Sequence, residues 1–482
     1  MRRQLLIGIT ILFMGAVSRS SVSNPRPATP NAQSPALNNQ SSAPKHQAAA
    51  IQLAALDDLA GPSVNWSCLG ANPSHTCGVT CSLRIPPVTR WRVSAAQLGA
   101  PPNRPAHLHP RALVAGVLLV EMETPGRVAL VAMDVESGRV RWQRSFPFPH
   151  DVPEAGLQPG VADGSVFLYL EQEPSSGNNE AGWSLSRLSL KDGHAEWERG
   201  TIGVWEAEQA PSSSQTLFRP VVLAGSVVVV TPDFFGGPPT AAFGMADGAL
   251  EWRADRIGGD VPTIGDLGPG GPVLVGVDYA AGRVALRTVL LKDGSDGPAA
   301  VSDPLGTGTD WTEGDWDCQV RWVDGLSHRC GVSAGRMRAS AAWPAVSCAL
   351  PAIGEPAADR WGTPGFGSLS GPILNGSIYL GGSVDVNGKR VAAVWRVNIR
   401  TGHTIWATRG ADGGRVLLAA PGVVVGRSLS GELELWSAER GAVLYRSKTP
   451  GLRDCIAGGG KMVASYEGPH PSGGTTFLAA YE

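Results

Sequence analysis

The sequence lacks several things that would fix a function at once. It carries no excess of one charge: 40 Lys and Arg stand against 42 Asp and Glu, a net of -2. That excludes the basic field a nucleic-acid surface needs, and there is no acidic tail either. It has no apolar run long enough to cross a bilayer comfortably. The run from Leu5 to Val17 is 13 residues, against about 20 for a spanning helix. No long amphipathic pattern suits a membrane surface. Neither Cys-x-x-Cys nor a haem-attachment Cys-x-x-Cys-His occurs. No nucleophile elbow, zinc-protease helix or phosphate-binding Gly loop sits in a context that would give it chemistry.

What is present is an abundance of turn residues, 62 Gly and 38 Pro, set between short apolar runs. That distribution predicts an all-β protein. The first residues read as an export signal over 1–20: Arg2 and Arg3 precede the apolar run, and small residues follow at Ala16, Ser18 and Ser20. An uncleaved signal anchor is the alternative. Residues 21–60 are rich in Ser, Pro, Asn, Gln and Ala. Such composition buries too little to offset ordering entropy, so this stretch is expected to be a disordered tether.

A repeated unit then takes over. A Gly ends a tight turn and an aromatic follows four positions later: Gly138/Trp142, Gly193/Trp197, Gly248/Trp252, Gly402/Trp406 and Gly441/Tyr445. The first three glycines are spaced by 55 residues each time. Repeats of this length built from strands alone predict a β-propeller. Six blades are expected from Ala112 to Ser447. A further blade would be completed by Trp91 in PPVTRWRV joining the C-terminal strands that end at Tyr481, which closes the ring and removes two sheet edges. Seven blades is the favoured count and eight the alternative. The choice turns on residues 305–350, read as a cysteine-containing insertion in blade four.

That insertion carries WDCQVRWVDGLSHRCGVS, which repeats the pattern of WSCLGANPSHTCGVT at Trp66–Thr80. In an exported chain the matching local pairs Cys68–Cys77 and Cys318–Cys330 are expected to be disulfides. Cys81, Cys348 and Cys455 are left without an assigned pairing. Zinc held by Cys68, His75, Cys77 and Cys81 is a weaker reading, because the spacing is wider than that of zinc knuckles.

The blade unit resembles the PQQ-like repeat, A-x-D-x-x-T-G-x-x-x-W. Ala132, Asp134, Gly138 and Trp142 fit it, and so do Thr401, Gly402 and Trp406. The resemblance covers about residues 64–482. It implies a propeller fold and one of two roles. One arm of the family comprises dehydrogenases that bind pyrroloquinoline quinone and calcium, commonly beside a pair of adjacent cysteines. This sequence has no adjacent cysteines. The other arm comprises non-enzymatic scaffolds, such as the lipoprotein of the outer-membrane barrel-assembly machinery.

The repeated aromatics Trp91, Trp142, Trp197, Trp252, Trp406 and Tyr445 are expected to pack between blades rather than hold a ligand. The turn carboxylates Asp134, Asp192, Asp247 and Asp293 are read as an in-register set that accepts backbone hydrogen bonds. An acidic loop with Asp310, Glu313, Asp315 and Asp317 offers oxygen ligands for calcium, but it lacks a known ligand register, and a solvated loop is the favoured reading. The sequence therefore points to an exported protein, periplasmic, extracellular or on the cell surface. It would be a monomeric, non-catalytic binding or scaffold module for a protein or envelope ligand, with no cofactor. A quinone-dependent dehydrogenase and a carbohydrate-binding module are the alternatives.

Overall fold

The computed structural model describes residues 77–101, 104–147, 157–172, 182–200, 218–219, 221–230, 240–254, 258–266, 272–278, 285–297, 316–323, 326–333, 346–349, 360–363, 372–386, 389–398, 404–409, 415–428, 430–468 and 476–482. The expected signal and tether lie outside these residues. The described part is all-β apart from one 3-10 turn at Ala96–Leu98.

β1 is Thr89–Ser94. Sheet one follows with β2 (His107–Val114), β3 (Val117–Thr124), β4 (Arg127–Asp134) and β5 (Val140–Pro147). Sheet two contains β6 (Gly160–Ala162), β7 (Ser165–Gln172), β8 (Gly182–Ser189), β9 (Ala195–Gly200) and the short β10 (Phe218–Arg219). Sheet three has β11 (Val221–Ala224), β12 (Val227–Val230), β13 (Thr240–Gly244) and β14 (Leu250–Ala254). Sheet four has three strands, β15 (Gly258–Asp266), β16 (Pro272–Asp278) and β17 (Ala285–Leu290). Sheet five is β18 (Trp316–Val323), β19 (Leu326–Ser333), β20 (Val346–Ala349) and β21 (Arg360–Thr363). Sheet six is β22 (Ile373–Leu374), β23 (Ser377–Val386), β24 (Lys389–Asn398) and β25 (Thr404–Arg409). Sheet seven is β26 (Arg415–Ala420), β27 (Val423–Arg427), β28 (Leu433–Ser437) and β29 (Val443–Arg446). The closing sheet has β30 (Leu452–Gly458), β31 (Lys461–Glu467) and β32 (Thr476–Tyr481), and its order is β1-β32-β31-β30.

These are small antiparallel meanders. The first strands of successive sheets touch: β30 meets β2, then β2 meets β6, β6 meets β11, β11 meets β15, and β15 meets β18. β22 likewise meets β26, and β26 meets β30. This is the radial arrangement of a β-propeller. The described strands form eight sheets. That is one sheet more than the favoured count of seven and the same number as the alternative of eight. The difference lies in sheet five, whose four described strands pair with one another and not with those of sheet four.

Burial explains why the strands read as continuous apolar runs rather than alternating ones. Inner strands are covered on both faces by neighbouring sheets, so all four valines of β12 are buried. Each such side chain contributes about 1.5–3 kcal/mol. The outermost strands alternate or stay exposed, as in β14 with its pattern eeBeB. One apolar cluster fills the seam between sheets one and two, through Leu119, Leu130, Val166 and Leu168. The largest cluster joins sheets one and seven to the closing sheet.

The expected closure is present. β1 pairs antiparallel with β32, Trp91 opposite Ala480 and Val93 opposite Leu478. Val88 and Glu482 exchange backbone hydrogen bonds of 3.0 Å in both directions. The preceding segment also pairs, in parallel, with β26 through a bridge between Gly78 and Ala419. There Val79 N–H donates to Ala419 O at 2.9 Å, and Ala419 N–H donates to Cys77 O at 3.2 Å.

Candidate functional site

The repeated aromatics are occupied by the fold. Trp142 donates its indole N–H to Leu190 O at 2.9 Å, and Trp252 donates to Leu291 O at 2.8 Å. Trp91, Trp197 and Trp406 do the same to Val135, Met245 and Ala438, at 2.7, 3.1 and 3.0 Å. Each acceptor lies three residues before the turn Gly of the next sheet. Those glycines, Gly138, Gly193, Gly248, Gly294 and Gly441, have φ between +68 and +73. A Cβ on Gly193 would lie 2.6 Å from Trp142 Cδ2. Glycine is needed there both for the left-handed backbone and to admit the ring. Tyr445 packs half-buried against the largest core cluster.

The turn carboxylates also have internal partners. Asp134 accepts from the backbone N–H groups of Glu136 and Ser137, at 3.1 and 2.9 Å. Asp192, Asp247 and Asp293 accept from His194, Ala249 and Ser295, at 3.3, 3.0 and 3.0 Å. The four are not in register: Asp134 stands four residues before its glycine and the other three directly before theirs. Arg141, hydrogen-bonded to Asp134 together with Ser137, holds that carboxyl down to about 2. Hydrogen bonds from His194 and Ser189 bring Asp192 to about 2.

A cluster of His, Arg, Asp and Glu side chains lies at the rim where first strands enter and second strands leave, at the seam between sheet one and the closing sheet. His107, His109 and Arg111 alternate along β2, with His107 opposite Glu123 and His109 opposite Glu121 on β3. Across the seam His109 Nδ1 lies 2.8 Å from Asp454 Oδ2, and His107 Nδ1 lies 3.0 Å from Glu467 Oε1. Arg453 also pairs with Glu467. Beneath them Glu121 is fully buried. Arg111 Nε donates to it at 2.7 Å, and Leu157 N–H donates to its other oxygen at 2.7 Å.

Burial, then the charge and hydrogen bond of Glu121, push Glu123 up to about 7 against the opposing pull of His109 and Arg111. At Asp454 burial acts upward, but the hydrogen bond and charge of His109, with Arg111 and Arg415, outweigh it and hold the carboxyl below its usual range. The upper layer is open, with the Arg453 side chain 51% exposed and His107 42%. Such a rim can offer charge-assisted hydrogen bonds to a partner.

The other expected site residues fare differently. Cys68, His75, Asp310, Glu313 and Asp315 lie outside the described residues. Asp317 stands opposite Val332, Cys318 opposite Gly331, and Cys330 opposite Gln319. Cys455 is buried, and Cys81 is half-buried beside Gly460, with burial raising its thiol. Among the described residues no group of three or more His, Cys, Asp or Glu is placed to hold a metal ion, and no helix is long and apolar enough to cross a membrane. The repeat aromatics do not fit a stacked quinone: Trp142 and Trp252 are buried, and their rings rest on the next sheet's glycine.

The rim cluster was not anticipated from the sequence. A usable signal existed in His-x-His-x-Arg facing Glu-x-Glu, three alternating cationic-type residues opposite two alternating acids on adjoining strands. The partners Asp454 and Glu467 lie about 350 residues away and gave none.

No known family profile matches the chain, and no curated protein matches it in sequence. Solved structures do. The quinohemoprotein alcohol dehydrogenase of Comamonas testosteroni aligns at a TM-score of 0.56 and 10% identity, covering 90% of this chain and 83% of that one. Quinohemoprotein alcohol dehydrogenase ADHIIG of Pseudomonas putida HK5 aligns at 0.51 and 11%, covering 87% and 80%. BamB from Moraxella catarrhalis aligns at 0.44 and 13%, covering 82% and 97%. At these identities the likeness is one of architecture. Eight meandering sheets, a strand shared between the two ends and the Gly–Trp seam unit together give this chain the fold of the PQQ-like β-propeller repeat proteins.

Proposed function

We propose that this protein is an exported, non-catalytic propeller that binds a protein or cell-envelope ligand through one rim of the ring. The observation that carries this reading is the use already made of its chemistry-bearing repeats. The indole N–H groups and turn carboxylates are engaged within the fold. Among the described residues, the partly open, mixed-charge cluster of His107, His109, Arg453, Asp454 and Glu467 is the surface to which we assign recognition. Its histidines and acids are pre-oriented across the seam, which lowers the entropy cost of engaging a polar partner.

Two measurements test this. The purified chain is mixed with pyrroloquinoline quinone and calcium while absorbance and dye-linked alcohol oxidation are followed. No turnover is expected, and stoichiometric binding with turnover would overturn the reading in favour of a dehydrogenase. A photo-crosslinking residue at His107 or Arg453 is then compared in cells with one at Lys461, on the opposite rim. A discrete adduct is expected only from the first pair, and equal adducts or none would remove the rim assignment.

A further inference from the structure

Sheet five sets two cysteines directly against one another. The β19–β20 ladder opposes Arg329 to Ala349 and Cys330 to Cys348. Opposed residues of an antiparallel ladder have Cα atoms about 4.5–5.5 Å apart, inside the range of about 4.4–6.8 Å that a disulfide requires. The backbone therefore supplies the separation without rearrangement.

The neighbouring ladder does not do this for Cys318. It opposes Cys318 to Gly331 and Cys330 to Gln319. Because residues alternate between the faces of a strand, Cys318 and Cys330 occupy opposite faces of the β18–β19 pair. The resemblance between the two cysteine motifs suggests Cys318–Cys330, whereas the register favours Cys330–Cys348.

We propose that Cys330 and Cys348 form a cross-strand disulfide that fastens β19 to β20. This rests on the reading that the chain is exported to an oxidising compartment. The oxidant is a protein or small-molecule disulfide carrier. One cysteine thiolate attacks the carrier's disulfide, forming a mixed disulfide and releasing one carrier thiol. The second thiolate then displaces the other carrier thiol and forms the Sγ–Sγ bond. Two protein thiols lose two electrons and two protons, and the carrier disulfide becomes two thiols. The closed bond ties together strands separated by a long connection and restricts the unfolded chain.

Tryptic mapping of the full-length protein under non-reducing conditions tests the pairing, after free thiols are alkylated in the exported fraction. Arg321, Arg329, Arg336, Arg338 and Arg360 place Cys318, Cys330 and Cys348 in three different tryptic peptides. The expected product is Cys330–Arg336 joined to Ala339–Arg360, lighter by two hydrogens than the separate peptides. A Cys318–Cys330 link, or alkylation of both Cys330 and Cys348 in exported protein, would overturn the proposal. If the protein is found retained with reduced thiols, the export reading has failed, and native protein is then exposed to oxidised glutathione. Formation of the same link upholds the pairing and its absence refutes it. Cys330→Ser and Cys348→Ser should lower Tm equally and without additivity, while Cys318→Ser should leave it unchanged. Additive losses would count against a shared bond.

Discussion

The indole ring of Trp142 lies against Gly193 of the next sheet, and its N–H is given to Leu190, three residues before that glycine. The same geometry joins Trp91 to Gly138 and Trp252 to Gly294. We expect Gly193→Ala to cost about 2–4 kcal/mol, part from the left-handed backbone and part from a Cβ driven into the ring. Trp142→Ala should cost about 3–5 kcal/mol. In the Trp142→Ala background the glycine substitution should cost only about 1 kcal/mol, its backbone share. Urea unfolding of the four proteins measures this, and strict additivity would show that ring and glycine do not interact.

Trp436 offers the contrary case. It is fully buried on β28, and its indole nitrogen has no hydrogen-bond partner. An unpaired buried donor costs about 1–3 kcal/mol. Trp436→Phe removes that donor, so its loss of packing is offset and its net effect should lie within about 1 kcal/mol. Trp142→Phe gives up a satisfied bond and should be the more destabilising of the two in the same unfolding assay.

Glu123 makes stability fall as pH rises. Its carboxyl is raised to about 7 in the folded protein, so the folded state binds the proton more tightly than the unfolded chain does. The resulting stabilisation is complete below the unfolded value near 4.5 and is lost as pH rises through 7. Glu123→Gln should remove this slope and exceed the parent in stability at pH 8 by about 1–3 kcal/mol. Asp134 acts in the opposite sense. Its carboxyl is depressed to about 2, so its contribution is present above about 4 and disappears toward 2. Thermal melts across pH 2–9 separate the two, and a flat profile for the parent between 5 and 8 would contradict the Glu123 assignment.

The seam fold was legible because it is written locally. Gly138 and Trp142 stand four residues apart, and the unit recurs often enough to reveal its period. The shared strand was legible from Trp91, whose segment had a blade's ending without a blade before it. Other features required distant residues to meet. Nothing near His109 in sequence announces Asp454, and nothing near Trp142 says that its partner is the following sheet's glycine rather than its own. Sheet five lacks the Gly–Trp unit, so its strands carried no period to count, and insertion and separate blade both stood as readings of that stretch. The four turn acids looked equivalent because each sits beside a glycine turn, yet Asp134 reaches forward over its turn while Asp192, Asp247 and Asp293 cap theirs from within.

The terminal join can be tested by removing it. A chain lacking residues 1–94 leaves β32 without β1 and exposes its row of backbone donors and acceptors. We expect it to self-associate in size-exclusion chromatography, with loss of a single cooperative melt. A monomeric, cooperatively melting product would show that β1 contributes little.

The parallel bridge between Gly78 and Ala419 bears on how this chain would carry a mechanical load. Tension applied ahead of residue 77 reaches the hydrogen bonds of Val79 and Cys77 to Ala419 before it reaches β1. Pulled along the strand direction, those bonds are sheared together instead of being opened one at a time. The load then passes into sheet seven, and the terminal strand that holds the circle shut is shielded from it.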